Sequence, residues 1–292
     1  MSSTYIFVDG GYLQRAHAES VAPWFGSETE IDLSSALARL AQLSTLDDIW
    51  GPMAYSPNGG TRIFYYDCLD EGRRGNETDR EFSLRLDQQN NRLQELRDIN
   101  DCHIRLGTLK GRKRREQKEV DVLIAVEMMA HAARGNMQKA VLVTGDLDLR
   151  PAVEALVQLG LSVEIISNEK TTSRELTWAG SSFRALTFKN FFDWTRLSDR
   201  HKFPIPIGRD FTPHGVGEII KQGSVDGLHC TLHRSENGYL LYFPIFVKGN
   251  ARLMRTFEHE NLDRIELFFK LEYKPILWDN SEITTEMAKQ GD

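Results

Sequence analysis

A chain of 292 residues with 40% apolar and 27% charged residues can bury a core without disulfide help, and its composition excludes a disordered tract. The length suits one large domain with a smaller one beside it. A net charge of -6 excludes a generically basic nucleic-acid coat, so contact with nucleic acid has to come from a local patch.

The chain opens with Tyr5 to Val8, a short β-rich apolar run that enters Asp9-Gly10-Gly11, after which Tyr12 to Glu19 suits a helix. Strand, tight turn and helix follow one another. Because that run stops at Asp9, it is too short for the apolar stretch of a signal peptide. No other run approaches the roughly 20 residues that cross a bilayer. Cys68, Cys102 and Cys230 are odd in number and lack C-x-x-C spacing, as in reduced thiols. The expectation is a soluble, cytoplasmic protein without a membrane partner.

Arg62 to Tyr66 reads as a second strand, Glu81 to Ile99 as a long exposed helix and His103 to Leu109 as a third strand. Val120 to Ala133 recurs at helical spacing, Ala140 to Val143 is a buried-strand run, and Asp148 to Leu159 is a helix stopped by Gly160 before the strand Ser162 to Ile166. Apolar strands alternating with helices predict a parallel α/β sheet of Rossmann-like type covered on both faces. Near Arg200 the pattern changes. Val216 to Ile220, Leu228 to His233, Tyr239 to Val247 and Arg264 to Tyr273 are strand-like, and Asn237-Gly238 signals a hairpin. Residues 199–292 therefore read as a smaller, mostly antiparallel β domain after an α/β domain of residues 1–198.

Ligands of parallel sheets bind outside the carboxyl ends of the strands, so acids just past those ends carry the chemical interest. Asp9 follows the first strand, and Asp146 and Asp148 follow the Ala140 strand in Thr144-Gly145-Asp146-Leu147-Asp148. Asp121 opens the helix that follows a basic segment. Oxygen donors alone favour Mg²⁺ or Mn²⁺ over zinc, and such ions suit hydrolysis of a phosphodiester. Each acid also has a plainer reading: Asp9-Gly10 as a turn, Asp148 as a helix cap, Asp121 as a first-turn acid favoured by the helix dipole. Glu127 lies six residues beyond Asp121, about 240° around a helix, and fits the cluster less well.

Lys110, Arg112, Lys113, Arg114, Arg115 and Lys118 form the basic segment before Asp121, dense enough to hold phosphates, although a solvated loop or a localisation tract has the same composition. Asp67 reads as a strand-end acid. His214, His229 and His233 lack metal-ligand spacing, and Tyr239, Tyr242 and Phe243 read as core aromatics before base-stacking ones.

Taken together, Tyr5-Ile-Phe-Val-Asp9-Gly-Gly-Tyr-Leu13, Arg105-Leu-Gly-Thr-Leu-Lys-Gly111, Lys118-Glu-Val-Asp121-Val-Leu-Ile-Ala-Val-Glu127 and Val141-Leu-Val-Thr-Gly-Asp146-Leu-Asp148-Leu-Arg-Pro151 resemble the NYN family over residues 4 to 190. That family comprises PIN-like ribonuclease domains, the LabA-like bacterial members among them. The resemblance implies a Mg²⁺- or Mn²⁺-dependent endoribonuclease with Asp9, Asp121, Asp146 and Asp148 as metal-binding catalytic acids, and Gly10 and Thr144 beside them. It implies single-stranded or structured RNA as partner of the basic segment. The C-terminal domain is then expected to bind RNA, a protein partner or a second copy.

The family pattern is broken at Glu119, where glycine is usual, at Leu147, where a small polar residue is usual, and after Asp9, where an asparagine is missing. All four acids remain, which favours an active enzyme; the departures at Leu147 and Glu119 are the support for the alternative of a noncatalytic RNA-binding or regulatory protein on the same fold. A phosphatase of the aspartyl-phosphate type needs a second acid two residues after the first, and Gly11 stands there instead.

Overall fold

The computed structural model describes residues 3–27, 29–45, 61–69, 72–108, 119–210, 218–247 and 251–279. They fall into two compact units, one of residues up to 21 with 28–196, the other of 22–27 with 197 onward.

In the first unit β1 (Thr4–Asp9) enters α1 (Gly10–Phe25), followed by α2 (Leu33–Thr45), β2 (Arg62–Leu69), α3 (Asp79–Arg97), β3 (Cys102–Thr108), α4 (Val120–Ala133) and β4 (Lys139–Val143). A single 3-10 turn (Leu147–Leu149) then leads to α5 (Arg150–Gln158), β5 (Ser162–Ser167), α6 (Arg174–Ala179), β6 (Ser182–Ala185) and α7 (Phe188–Asp193). The six strands pair in parallel in the order β3-β2-β1-β4-β5-β6.

Every residue of β1 is buried, as a central strand covered on both faces requires. Side chains alternate across the pleat, so Phe7 joins Phe64, Tyr66, Leu142, Ile124, Met128, Val153 and Leu156 in one core layer while Ile6 and Val8 face the other way. α3 begins in a capping box, Thr78 accepting from the Glu81 N–H while Glu81 accepts from the Thr78 N–H. α2, α6, β6 and α7 have no counterpart among the sequence expectations, and α1 runs through Pro23 to Phe25 instead of ending near Glu19.

The second unit contains α8 (Leu197–Lys202), β7 (Ile207–Asp210), β8 (Ile219–Val225), β9 (Leu228–Ser235), β10 (Gly238–Val247), β11 (Ala251–His259), α9 (Leu262–Glu272) and β12 (Leu277–Trp278). Its strands form an antiparallel sheet in the order β12-β8-β9-β10-β11-β7, with β9 and β10 joined at the hairpin turn of Asn237. The expected strand from Arg264 to Tyr273 is instead helix α9. Ile265, Phe268 and Phe269 recur at helical spacing on its buried face, and Asn261 caps it by accepting from the Asp263 N–H. Phe243, Phe257, Phe268 and Phe269 are buried together, so the aromatic residues here make a core. Tyr242 is buried against His233, and Tyr239 lies beneath the Arg234 guanidinium.

Among the described residues no helix is long and apolar enough to cross a membrane. Cys68, Cys102 and Cys230 are all free thiols.

Candidate functional site

Strand order reverses between β1 and β4, which leaves a crevice at their carboxyl ends, the place where open α/β sheets take their ligands. β1 delivers Asp9 there and β4 delivers Thr144 to Asp148. Asp9 is only 4% exposed, and its two oxygens are held separately. The Tyr12 N–H donates to Oδ1 at 2.9 Å, and Thr144 Oγ1 donates to Oδ2 at 3.2 Å. Burial pushes the Asp9 carboxyl above its ordinary range, against the pull of the Tyr12 N–H and of the Arg15 charge.

The hydrogen bonds continue along the β4 side. The Asp146 N–H donates to Thr144 Oγ1 at 3.2 Å, and the Asp148 N–H donates to Asp146 Oδ1 at 2.9 Å. Asp146 thus caps the 3-10 turn. The plainer reading of Asp148 as the cap is corrected, because α5 proper starts at Arg150 with Pro151 in its first turn and leaves the Asp148 side chain exposed.

Asp121 stands in the first turn of α4. Its carboxyl is pushed up to about 6, by burial first and then by the negative charges of Asp146, Asp9 and Asp148. The four acids therefore feel one another, although they come from three segments of the chain. The departures Glu119 and Leu147 flank them: Glu119 precedes α4 without capping it through its side chain, and Leu147 is 43% exposed.

Gly10 is dictated by space. A Cβ there would lie 2.4 Å from the Tyr65 ring and 2.7 Å from the Tyr66 carbonyl oxygen, so only glycine lets α1 start so close to β2.

Two further acids are already engaged. Glu127 accepts from Tyr66 Oη at 2.6 Å and pairs with Arg105 Nε at 2.6 Å, which ties α4 to β2 and β3. Asp67 accepts from Gln14 Nε2, Tyr65 Oη and the Cys68 N–H. Residues 110–118, the basic segment of the sequence reading, lie outside the described residues, as does His214. His229 is exposed and His233 is buried.

Sequence reasoning missed Arg15, Gln14 and Tyr12. Arg15 is exposed on α1, and its charge opposes the rise at both Asp9 and Asp121. The signal was present: an aspartate three residues before a helical N–H is a helix-start acceptor, and Gly11 and Arg15 stand one turn apart on the helix it starts.

All the clustered donors are carboxylate or hydroxyl oxygens, which match a hard divalent cation and not zinc. Among the described residues, no three His, Cys, Asp or Glu side chains stand close enough to hold a metal ion as they are placed. The donor chemistry fits Mg²⁺ or Mn²⁺, and the mutual repulsion felt at Asp121 is the kind a cation relieves. Two hollows adjoin this region without being lined by the four acids. One of about 770 Å³ includes Gln14, His17, Asp32, Asn91, Arg92 and Arg196. The other, about 300 Å³, includes Gly11, Arg15, Asp67, Arg74, Arg85 and Arg92.

Compared with known proteins, the chain matches a model of the NYN domain over residues 3–187. No curated protein matches it. A solved structure of a protein of unknown function from Vibrio parahaemolyticus is similar at 15% identity and a TM-score of 0.43, over 67% of this chain and 96% of that one.

Proposed function

The chain belongs to the NYN domain family, and from that premise we propose that it is a divalent-metal-dependent endoribonuclease that hydrolyses RNA phosphodiester bonds. The observation that carries this reading is the hydrogen-bonded run from Asp9 through Thr144 to Asp146 and Asp148 at the crevice between β1 and β4, with Asp121 near enough to be repelled. In it, Asp9, Asp121, Asp146 and Asp148 are the residues that would hold the metal. A bound Mg²⁺ or Mn²⁺ supplies a water of lowered pKa and offsets charge on the phosphate.

The protein's own groups do the rest. Tyr12 and Thr144 fix the Asp9 carboxylate so that both oxygens keep one orientation in a buried place. Arg15 supplies positive charge beside the acids, where the phosphate oxygens of a strand would lie. Lys110, Arg112, Lys113, Arg114, Arg115 and Lys118 hold further phosphates. The domain of residues 1–198 carries the reaction, and residues 199–292 bind RNA or a partner.

A second reading, an RNA-binding or regulatory protein that no longer cuts, is favoured by Glu119 and Leu147. One experiment separates the two. Purified protein is incubated with labelled single-stranded and structured RNAs in Mn²⁺ or in EDTA, beside the Asp146→Asn variant. Cleavage that needs metal and is lost with Asp146→Asn, while RNA is still bound, supports the enzyme. Binding without cleavage in Mn²⁺ supports the second reading.

A further inference from the structure

The hollow of about 300 Å³ lies between α1 and α3 and is lined by Arg15 from α1, Arg85 and Arg92 from α3, and Arg74 from the segment before α3. Four guanidinium groups around one cleft stand out in a chain whose net charge is -6. Asp67 is the acid that lines the same cleft, and its oxygens already accept from Gln14, Tyr65 and Cys68. Glu77 pairs with Arg85 at 2.7 Å, which leaves the surroundings of the cleft positive on balance.

The floor is built and not incidental. Gln14 donates to Asp67 Oδ2 at 3.0 Å and to the Gly10 carbonyl at 3.2 Å, and it accepts from Arg92, so α1, β2 and α3 are joined through one side chain. Gly11 lines the cleft as well, two residues beyond Asp9, and Arg15 faces both the cleft and the acids. Gln14, Gln88 and Arg92 also line the larger hollow, so the cleft leads on into it. The positive charge thus gathers in the smaller cleft beside the acids, since the larger hollow sets Glu30, Asp32 and Glu95 against Arg92 and Arg196.

We propose that the arginine-lined cleft between α1 and α3 binds the sugar-phosphate backbone of single-stranded RNA next to the point of cleavage. The proposal rests on the ribonuclease reading above and adds to it a defined path for the strand. Guanidinium groups suit this task, since their planar fork donates two bonds to a phosphate at once. Contacts of this kind position a strand without reading its sequence.

The test measures binding and not cleavage. The Asp146→Asn full chain in EDTA is titrated into a short fluorescein-labelled single-stranded RNA of mixed sequence, and anisotropy is followed at stepped salt. Adding Arg15→Ala and Arg92→Ala together should weaken binding about tenfold and flatten the dependence of log affinity on log salt by about 1.4, at about 0.7 per lost phosphate contact. Replacing Arg92→Ala by Arg92→Lys in that pair should return about 0.7 of the slope, because one charge returns. Arg92 also supports Gln14, so Arg15→Ala alone, on an exposed side chain, is the second variant, with an expected fall of about 0.7. Unchanged affinity and slope in both variants, with RNA still bound by the Asp146→Asn chain, overturns the cleft and leaves the ribonuclease reading standing. Failure of the parent chain to bind RNA at all overturns both.

Discussion

Thr144 Oγ1 donates to Asp9 Oδ2 at 3.2 Å across the line between β4 and β1, and the same oxygen accepts the Asp146 N–H at 3.2 Å. One buried hydroxyl thereby links the Asp9 carboxylate at the end of β1 to the Asp146 backbone just past the end of β4. Thr144→Val keeps the shape and removes both bonds. It should destabilise the protein by about 1–3 kcal/mol in urea unfolding, because two buried polar groups lose their partner. Metal-dependent cleavage should fall further than stability alone explains. Thr144→Ser, which retains the hydroxyl, should recover both.

Burial first, and then the charges of Asp146, Asp9 and Asp148, push the Asp121 carboxyl up to about 6. Replacing Asp121 by Asn removes a charge that the folded protein holds at a disadvantage near pH 7. In EDTA the variant should be more stable than the parent by about 1–2 kcal/mol, a rise of a few °C in Tm. Mn²⁺ should raise the parent's Tm and move the variant's less, since metal stabilises only the fold that binds it. Equal shifts in both proteins would remove Asp121 from the metal site.

His17 is 1% exposed, and burial lowers its pKa from 6.5 to about 4, with Thr195 Oγ1 2.9 Å from its Nε2. The unfolded chain takes up this proton first. Stability from His17 is therefore complete above pH 6.5 and is lost as pH falls from 6.5 towards 4. The loss should approach about 3 kcal/mol, from about 2.5 pKa units at 1.36 kcal/mol each. His17→Gln should flatten that part of the stability curve in denaturant titrations across this range. Parallel curves for parent and variant would refute the assignment.

Gly10→Ala sets a methyl group against the tip of the Tyr65 side chain, which is fully buried and hydrogen-bonded to Gln14 and Asp67, and against the Tyr66 backbone carbonyl. Overpacking of this kind should cost about 1–3 kcal/mol. It should also displace the start of α1, and with it the Tyr12 N–H that holds Asp9. Cleavage should fall at temperatures well below the variant's Tm. Full activity in a variant that merely melts earlier would show that α1 has room to move there.

Much of the first unit was legible because its signals are local. Val141 to Val143 and Ile6 to Val8 are apolar without alternation, which only a strand covered on both faces sustains. α9 was misread because Ile265, Phe268 and Phe269 are β-favouring by type while their spacing is helical, and spacing governs which face is buried. Asp9, Asp146 and Asp148 were singled out by their position after strands, and Asp121 by its place at the start of a helix. Arg15, Arg85 and Arg92 were not, because a cleft between two helices distant in sequence has no local signature: each arginine reads as an ordinary exposed side chain until α1 and α3 are set side by side.

Thr4 of β1 lies beside Lys139 of β4, and Asp9 receives its second hydrogen bond from a residue 135 positions later. Closing so long a loop is slow compared with forming α1 or α3. On the ribosome, a chain emerging from its N-terminus can fold its first helix and display Asp9 well before the β4 segment exists. The crevice is then half built. An unfinished chain has Arg15 beside Asp9 alone, so the four acids cannot come together before the sheet's middle has closed. The reversal of strand order that makes the crevice also delays its completion.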